Sequence, residues 1–481
     1  MTSGGRDPGS GVRGRGGVAC VDAGGDDARV KYDYSGMRVT IMGLGRFGGG
    51  LGVTRRLVGQ GADVLVTDTA SEDALAEPLG MLRGLIDSGQ VQLRLGEHNV
   101  ADFTDTDLVV ANPAVPRPWE NRYLRAAAAA GVPITTEIRM AVEQLNRDRV
   151  IGVTGSAGKS TTSAMIHHLL GKVGVRSYLG GNIGGSVLDG LDEARASEWV
   201  VLELSSAMLY WLGAGVGTEG DAAWSPGVGV LTNVMPNHID WHGSFEHYRA
   251  CKARIAEGDG VAVYCAEDGA GGLAELVAGK RKHIGVSLSD ADDELAASLR
   301  LPGGHNRMNA AIARATVEAC TGQPAGPRSF DGFRGLAHRL EFVGEFAGVR
   351  VYNDSKSTTP EACALAVGAF EQEGTRRIHL ICGGYDKGVD LGGMVRAASG
   401  CASVATIGAT GARLAREITG AGGRAEFVQT LDKAVAWVGQ RAKPGEIVLL
   451  SPGCASWDQF AHFEERGARF ASLIQGILKP D

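Results

Sequence analysis

The sequence predicts an α/β protein of three domains: a Rossmann-like N-terminal domain, a central doubly wound P-loop domain and a C-terminal Rossmann-like domain. Three observations carry that expectation. Short apolar runs alternate with helical segments along the chain, and two Gly-rich turns each join such a run to a helix. The 481 residues, at about 150 per domain, also allow three separate cores.

Residues 1–36 are rich in Gly, Arg and Asp and lack periodic apolar positions, so a disordered tail is expected there. The first domain is expected over 37–146. Its strands are Met37–Met42, Ala62–Thr67 and Leu108–Ala111, with a helix ending near Gly59 and another over Tyr123–Ala130. The second, over 147–335, opens with the apolar run Val150–Val153, turns at Thr154–Lys159 and continues as a helix to about Val173. Strands Trp199–Leu204 and Val228–Thr232 belong to it. The third, over 336–481, has strands Val349–Asn353, Ile378–Cys382, Ser403–Ile407 and Ile447–Leu450.

Hydrophobic content of 44% and charged content of 21% suit a globular chain without staples. The eight cysteines are scattered with no Cys-x-x-Cys pair, which argues against a disulfide framework or a cysteine zinc site and for a reducing compartment. A net charge of −7 without a basic stripe argues against a nucleic-acid partner. No apolar run is long enough for a membrane span, and the N-terminus lacks a signal pattern. A cytoplasmic monomer acting on small molecules is expected.

The strongest local signal is Thr154-Gly155-Ser156-Ala157-Gly158-Lys159-Ser160-Thr161, set between a strand and a helix. Backbone N–H groups and the helix dipole there can cradle phosphates of ATP, with Lys159 reaching the β- and γ-phosphates and Ser160 or Thr161 ligating Mg²⁺. Gly43-Leu44-Gly45-Arg46-Phe47-Gly48 matches a dinucleotide fingerprint, and Asp68 lies 20 residues past its last glycine. That pattern predicts a phosphate site with an acidic partner for a ribose hydroxyl; the alternative is tight helix–sheet packing alone. Glu203 and His238 follow successive strands of the P-loop domain. Together they could hold a second Mg²⁺ near the γ-phosphate; taken singly, each could be structural. Three polar loops in the last domain, 353–358, 383–387 and 451–460, also follow strands. They are either ordinary turns or one face of a cleft whose lysines suit an anion.

These segments, in this order, resemble the Mur ligase superfamily over about residues 37–481, and within it the D-glutamate-adding branch. The shared elements are the loop 154–160, Gly181-Asn182-Ile183-Gly184, Glu203, Asn233 with His238, His305-Asn306-Arg307-Met308-Asn309 and His338-Arg339-Leu340-Glu341. The branch-specific ones are Glu203-Leu204-Ser205-Ser206, Asn353-Asp354-Ser355-Lys356-Ser357-Thr358 and Cys454-Ala455-Ser456-Trp457-Asp458-Gln459-Phe460. The resemblance implies an ATP-dependent ligase that joins UDP-N-acetylmuramoyl-L-alanine to D-glutamate through an acyl phosphate, with two Mg²⁺ ions.

Carried over by position, the resemblance implies catalytic or metal-linked roles for Lys159, Glu203, His238, Lys252 and Arg339. It makes Lys252 an N-carbamoylated lysine, against the plain alternative of an unmodified surface lysine. ATP contacts fall on Gly155, Gly158, Lys159, Ser160, Thr161, Asn309, Arg339 and Asp354. The nucleotide substrate falls to Gly43, Gly45, Gly48, Asp68, Thr69, Asn182 and Ser205, and D-glutamate to Lys356, Thr358, Lys387, Ser456 and Phe463. There are departures from the pattern. Asp68-Thr69 is followed by Ala70 where the family has Arg, Ala207 onward lacks an expected Gln, and a Gly-rich stretch, Gly213–Gly229, has no account from pattern.

The rival readings are a folyl-polyglutamate type of ligase, a nicotinamide-dependent oxidoreductase built on Gly43–Gly48, and a degenerate, binding-only ligase. The first does not explain the Gly-Leu-Gly-x-x-Gly domain, the second leaves Lys159 without a task, and the third would need the loss of residues that are present.

Overall fold

Strand-forming apolar runs pair here into three separate, mainly parallel sheets. The computed structural model describes residues 33–45, 49–183, 185–268, 272–278, 282–326, 328–371 and 374–477. The tail reading for 1–32 and the Gly48 assignment lie outside these residues. Residues 33–36 are ordered. Tyr34 is 4% exposed, Gly36 N–H donates to the Gly61 carbonyl at 2.8 Å, and Met37 N–H to that of Tyr34 at 3.0 Å. One buried aromatic ring anchors a stretch whose composition otherwise offers nothing to bury.

The first sheet contains β1 (Arg38–Met42), β2 (Asp63–Asp68), β3 (Val91–Leu95), β4 (Leu108–Ala111) and β5 (Ile134–Thr135), in the order β3-β2-β1-β4-β5 with parallel pairing throughout. Chain order reverses between β1 and β4. The loops after those two strands therefore diverge and leave a crevice at their carboxyl ends.

The second sheet contains β6 (Val150–Thr154), β7 (Ser177–Gly181), β8 (Trp199–Glu203), β9 (Val228–Leu231), β10 (Val261–Cys265) and β11 (Lys282–Val286), in the order β11-β10-β9-β6-β8-β7. β6 lies between β8 and β9 and is parallel to both. Every residue of β6, β8 and β9 is buried, which explains their unbroken apolar character. The segments after these three strands leave the sheet at one end.

The third sheet contains β12 (Glu341–Phe346), β13 (Val349–Asn353), β14 (Ile378–Gly383), β15 (Ser403–Ile407), β16 (Ala425–Gln429) and β17 (Ile447–Leu450), ordered β12-β13-β17-β14-β15-β16. Only β12 is antiparallel, joined to β13 by Ala347-Gly348, both at positive φ, the two-residue turn that matches strand twist. Its two faces bury separate cores, one around Leu380 and Met394, the other around Ile381 and Phe470.

Packing divides the chain into two compact bodies, residues 1–159 with 174–285 and residues 160–173 with 286–481. Within the first body, the Gly-rich segment 213–229 receives a physical account. Arg139, 4% exposed, donates to the carbonyls of Trp211 at 2.8 and 3.0 Å, Gly213 at 2.9 Å and Ala222 at 3.3 Å. Thr218 bonds both the N–H and the carbonyl of Ile134 on β5, at 3.2 Å each. Gly217 has φ +94°, and a β-carbon there would reach 2.5 Å from the Ile134 carbonyl oxygen. The glycines thus let this loop lie along the edge of the first sheet. No helix among the described residues is long and apolar enough to cross a membrane.

Replacing Arg139 with Ala leaves several buried carbonyls unpaired. It should lower the stability of the first body by about 2–4 kcal/mol in urea unfolding and open residues 213–224 to limited proteolysis.

Candidate active site

The phosphate loop is shaped by close backbone approach. A β-carbon at Gly155 would collide with the Thr232 hydroxyl, and Gly158 has φ +81°. The segment after β9 braces the loop from one side. Asn233 accepts from Ala157 N–H at 2.9 Å through Oδ1 and donates to the Ala157 carbonyl at 3.0 Å, which Thr232 Oγ1 also bonds at 2.6 Å. Ser156 Oγ bonds Tyr248 OH at 2.7 Å. Lys159 Nζ folds back on the carbonyls of Gly155 at 2.9 Å and Ser156 at 3.3 Å. Lys159, Ser160 and Thr161 form the first turn of a helix, Lys159–Lys172, so the N–H groups of a helix N-terminus and a side-chain amine share one end.

Under this loop lies Lys252, 1% exposed, on the helix Phe245–Ala253. Its Nζ donates to the Gly155 carbonyl at 2.8 Å and Thr154 Oγ1 at 3.2 Å, and sits 4.7 Å from the Tyr248 ring centroid. Burial first, then the Lys159 ammonium, hold its pKa well below the usual lysine range. The alternative of a surface lysine is thereby corrected, because the helix carries it inward. Glu203, 2% exposed, ends β8 opposite Val153 of β6. Asn182 Nδ2 donates to Glu203 Oε1 at 2.9 Å, while Glu203 Oε2 is buried without a hydrogen-bond partner. An orphaned carboxylate oxygen beside a phosphate loop fits a divalent cation. His238, with left-handed backbone at φ +52°, is solvent-exposed at the start of the helix Ile239–His242. Desolvation first, then Lys159 and Lys252, lower its pKa, with Asp240 opposing them.

In the first sheet, Asp68 accepts from Leu44 N–H and Ala70 N–H, both at 2.9 Å, and so fixes the glycine turn. Gly43 and Gly45 have φ +86° and +68°, and their β-carbons would press on Asn112, a residue the sequence reading missed. Thr69 is exposed beside them. Ser205 caps the helix Ser206–Trp211 by accepting from Met208 N–H at 3.1 Å.

The second body brings another group together. Asp354, at the end of β13, accepts from Ser451 Oγ at 2.8 Å and Leu340 N–H at 3.1 Å, and burial pushes its carboxyl up to about 7. Arg339 lies between His338 and Leu340, non-glycine residues at φ +61° and +42°, a strained turn that also holds Lys356 N–H through the His338 carbonyl at 2.9 Å. Lys356 Nζ sits 5.6 Å from the Phe463 ring centroid. Lys387 Nζ donates to the Thr358 carbonyl at 3.4 Å and lies 5.3 Å from the Trp457 ring centroid. Ser456 is buried in the same loop as Trp457. Asn309 is buried on the helix Gly304–Thr321, donating to Asn306 Oδ1 at 3.4 Å.

Arg466, unmarked by any motif, joins two of these loops. It is 1% exposed and donates to Ser355 Oγ at 3.0 Å, the Ser355 carbonyl at 2.8 Å and the Cys454 carbonyl at 3.1 Å. Burial lowers its guanidinium pKa to about 10. Its only sequence signal is an Arg three positions past Phe463 on a helical face.

Comparison with known proteins follows the same segments. Residues 37–136 match the family model of the Mur ligase MurD-like N-terminal domain, 153–297 the Mur ligase middle domain, and 338–454 the Mur ligase glutamate ligase domain. The chain is 34% identical to the UDP-N-acetylmuramoylalanine–D-glutamate ligase of Pelotomaculum thermopropionicum, covering 93% of this chain and 99% of that one. It is 33% identical to the enzyme of the same name from Geobacter metallireducens, covering 92% and 98%. Among solved structures it is similar in fold to the MurF ligase of Thermotoga maritima in complex with ADP, with TM-score 0.52, 16% identity and 93% and 96% coverage. The UDP-N-acetylmuramate-alanine ligase of the same organism gives TM-score 0.51, 20% identity and 92% and 99% coverage.

The raised Asp354 carboxyl has a measurable consequence. A buried carboxylate costs stability above its folded pKa, and that cost fades as pH falls from about 7 toward the ordinary value of 3.8. Asp354→Asn should therefore make the ligand-free protein more stable than wild type at pH 8, by up to about 4 kcal/mol. The difference should shrink as the pH drops toward 4, read by denaturant unfolding across pH.

Proposed function

The chain belongs to the Mur ligase family, and from that premise we infer that it joins D-glutamate to UDP-N-acetylmuramoyl-L-alanine, as an ATP-dependent C–N ligase of peptidoglycan synthesis. Its substrates are small molecules. The chemistry comes down to moving the terminal phosphoryl group of ATP onto a carboxylate. The substrate carboxylate attacks the γ-phosphorus, ADP leaves, and an acyl phosphate results. The amine of D-glutamate then adds to the acyl carbon, the tetrahedral intermediate loses phosphate, and an amide remains.

The observation that best supports assigning this chemistry to the central loop is the buried Glu203 Oε2, without a hydrogen-bond partner and near Lys252. Mg²⁺, which the family uses, would neutralise phosphate charge and polarise the γ-phosphoryl group. Glu203 and Ser160 would hold one ion, and His238 with a modified Lys252 a second. Lys252 is suited to modification because burial and the Lys159 ammonium disfavour its charged form. The lone pair of the deprotonated amine can add to the carbon of CO₂, a proton leaves, and the resulting carbamate is an anion in place of the amine. Lys159 would follow the charge onto the β- and γ-oxygens, exchanging the Gly155 and Ser156 carbonyls for phosphate.

The Gly43–Gly45 turn, Asp68, Thr69, Asn182 and Ser205 would receive the nucleotide substrate. Asp68 and Asn182 act in this reading mainly by fixing the turn and Glu203. Asn309, Arg339 and Asp354 would meet ATP, and Lys356, Thr358, Lys387, Ser456 and Phe463 the D-glutamate carboxylates, with Arg466 holding their loops in register. Domain limits at 37–146, 147–335 and 336–481, a monomeric state and a cytoplasmic location complete the proposal.

The direct test incubates the protein with ATP, Mg²⁺ and UDP-N-acetylmuramoyl-L-alanine, adds amino acids singly and measures phosphate. Release with D-glutamate alone is expected; release with another amino acid and not with D-glutamate overturns the assignment. Lys159→Ala should lose activity by about 10³-fold while keeping its circular dichroism spectrum. Lys252→Ala should lose on the order of 10²-fold and regain part of it with acetate. Wild-type turnover without acetate would remove the carbamate.

A further inference from the structure

Three short helices meet beside, but not in, the phosphate loop. His242 ends the helix Ile239–His242, His247 and Cys251 sit four apart on the helix Phe245–Ala253, and Ser206 opens the helix Ser206–Trp211. Spacing of four places His247 and Cys251 on one helical face. His242 and Cys251 are buried, and His247 is half-buried. One ligand atom from each of the three lies within 4.8 Å of the other two. His242 Nδ1 is 3.1 Å from His247 Nδ1, and Cys251 Sγ is 3.7 Å from His247 Nε2.

The second nitrogen of His242 is already engaged, with Nε2 2.9 Å from Ser206 Oγ. When that hydroxyl accepts the Nε2 proton, the Nδ1 lone pair is left facing His247, the orientation a metal-ligating histidine needs. Tetrahedral zinc, with bonds near 2.0–2.1 Å to nitrogen and 2.3 Å to sulfur, separates its ligands by about 3.3–3.8 Å. Whichever His247 nitrogen binds the ion, its spacing to one partner, 3.1 Å from Nδ1 to His242 or 3.7 Å from Nε2 to Cys251, lies inside or just short of that range, and the third ligand atom stays within 4.8 Å. Trp119, Tyr210, Trp241 and Tyr248 flank the two imidazoles with ring centroids 4.4–5.7 Å away, an aromatic shell open to solvent at Trp119. A scan for paired cysteines misses this group, because its single thiol pairs with two histidines.

We propose that His242, His247 and Cys251 form a site for one borderline-soft divalent cation, of which Zn²⁺ is the type, distinct from the Mg²⁺ positions of the phosphate loop. His242 gives Nδ1, His247 gives one ring nitrogen and keeps its proton on the other, and Cys251 gives its sulfur. The thiol proton is released to solvent, no redox change occurs, and a fourth position is left for water. The cation links the segment that follows Glu203, through Ser206, to the helix that delivers Lys252. It therefore pins the two strand-end segments on which the phosphate loop depends. The proposal stands whether or not the ligase assignment does.

The test titrates Co²⁺ alone into the full-length protein. A thiolate-to-cobalt charge-transfer band is expected, saturating at one ion per chain and abolished by added Zn²⁺. Cys251→Ser should remove the band and His247→Gln should weaken binding at least tenfold, while Cys265→Ser keeps both. Zn²⁺ should raise the Tm of wild type and not of Cys251→Ser. Circular dichroism of each variant shows that loss of the band is not loss of fold. A wild-type protein without the band, or a band that survives both site variants, overturns the proposal and leaves a hydrogen-bonded Cys–His–His–Ser chain.

Discussion

A lysine amine buried against the carbonyl of Gly155 is the constraint around which the centre of this protein is organised. Burial alone disfavours an ammonium there, and Lys159 nearby disfavours a second one further. The phosphate loop is consequently underlaid by a base that gives up its charge easily. Around it, Tyr248 contributes a ring to Lys252 and a hydroxyl to Ser156, so one residue of the helix Phe245–Ala253 touches both the lysine and the loop. Thr232 and Asn233 hold the loop from the β9 side. The loop's shape thus depends on residues from β6, β9 and that helix together.

The same logic of strand ends recurs in all three sheets. In the first, the loops after β1, β2 and β4 meet at Gly43, Asp68 and Asn112. In the third, those after β13, β14 and β17 meet at Asp354, Lys387 and Ser456. Parallel strands make this economical, because every carboxyl end lies at one edge and each loop is free to carry polar groups. The cost is that polar groups at such edges must find partners. Asp68 takes two N–H groups and Arg466 finds a hydroxyl and two carbonyls. Residues proposed to face a ligand and residues that hold them are interleaved one or two positions apart, as Asp354, Ser355 and Lys356 are.

That interleaving explains what could be read in the sequence. Buried central strands were legible because burial on both faces leaves an apolar run; β4, β13, β15 and β17 have the limits their composition implies. The edge strands β3, β7, β11, β12 and β16 were not, because half-exposed positions break both run and alternation. β10 (Val261–Cys265), an interior strand, was missed although its run is apolar enough to read. The phosphate loop was legible because backbone approach to Thr232 dictates glycine and phosphate chemistry dictates lysine. Arg139 and Arg466 were not, because a surface arginine and a buried one look alike until the carbonyls they serve are placed by folding. Asn182, too, could be picked out but not understood; its amide faces Glu203.

Glu203 shows how far a single unmet group constrains function. Its Oε1 is held by Asn182, and strand pairing sets its backbone beside Val153 at the end of β6. A carboxylate oxygen removed from water without a partner is costly, by about 1–3 kcal/mol or more for a charged group. The neighbouring bases are positioned on loop oxygens, Lys159 on the carbonyls of Gly155 and Ser156, Lys252 on the Gly155 carbonyl and the Thr154 hydroxyl. With its amines turned toward loop oxygens and its carboxylate short of a donor, the proposed site suits charges that arrive together, a polyanion and the cations that travel with it. A phosphate ester alone would leave Glu203 worse off, and a metal ion alone would leave Lys159 on its carbonyls. Only the pair satisfies both, and for that reason the loop and the carboxylate are best understood as one site.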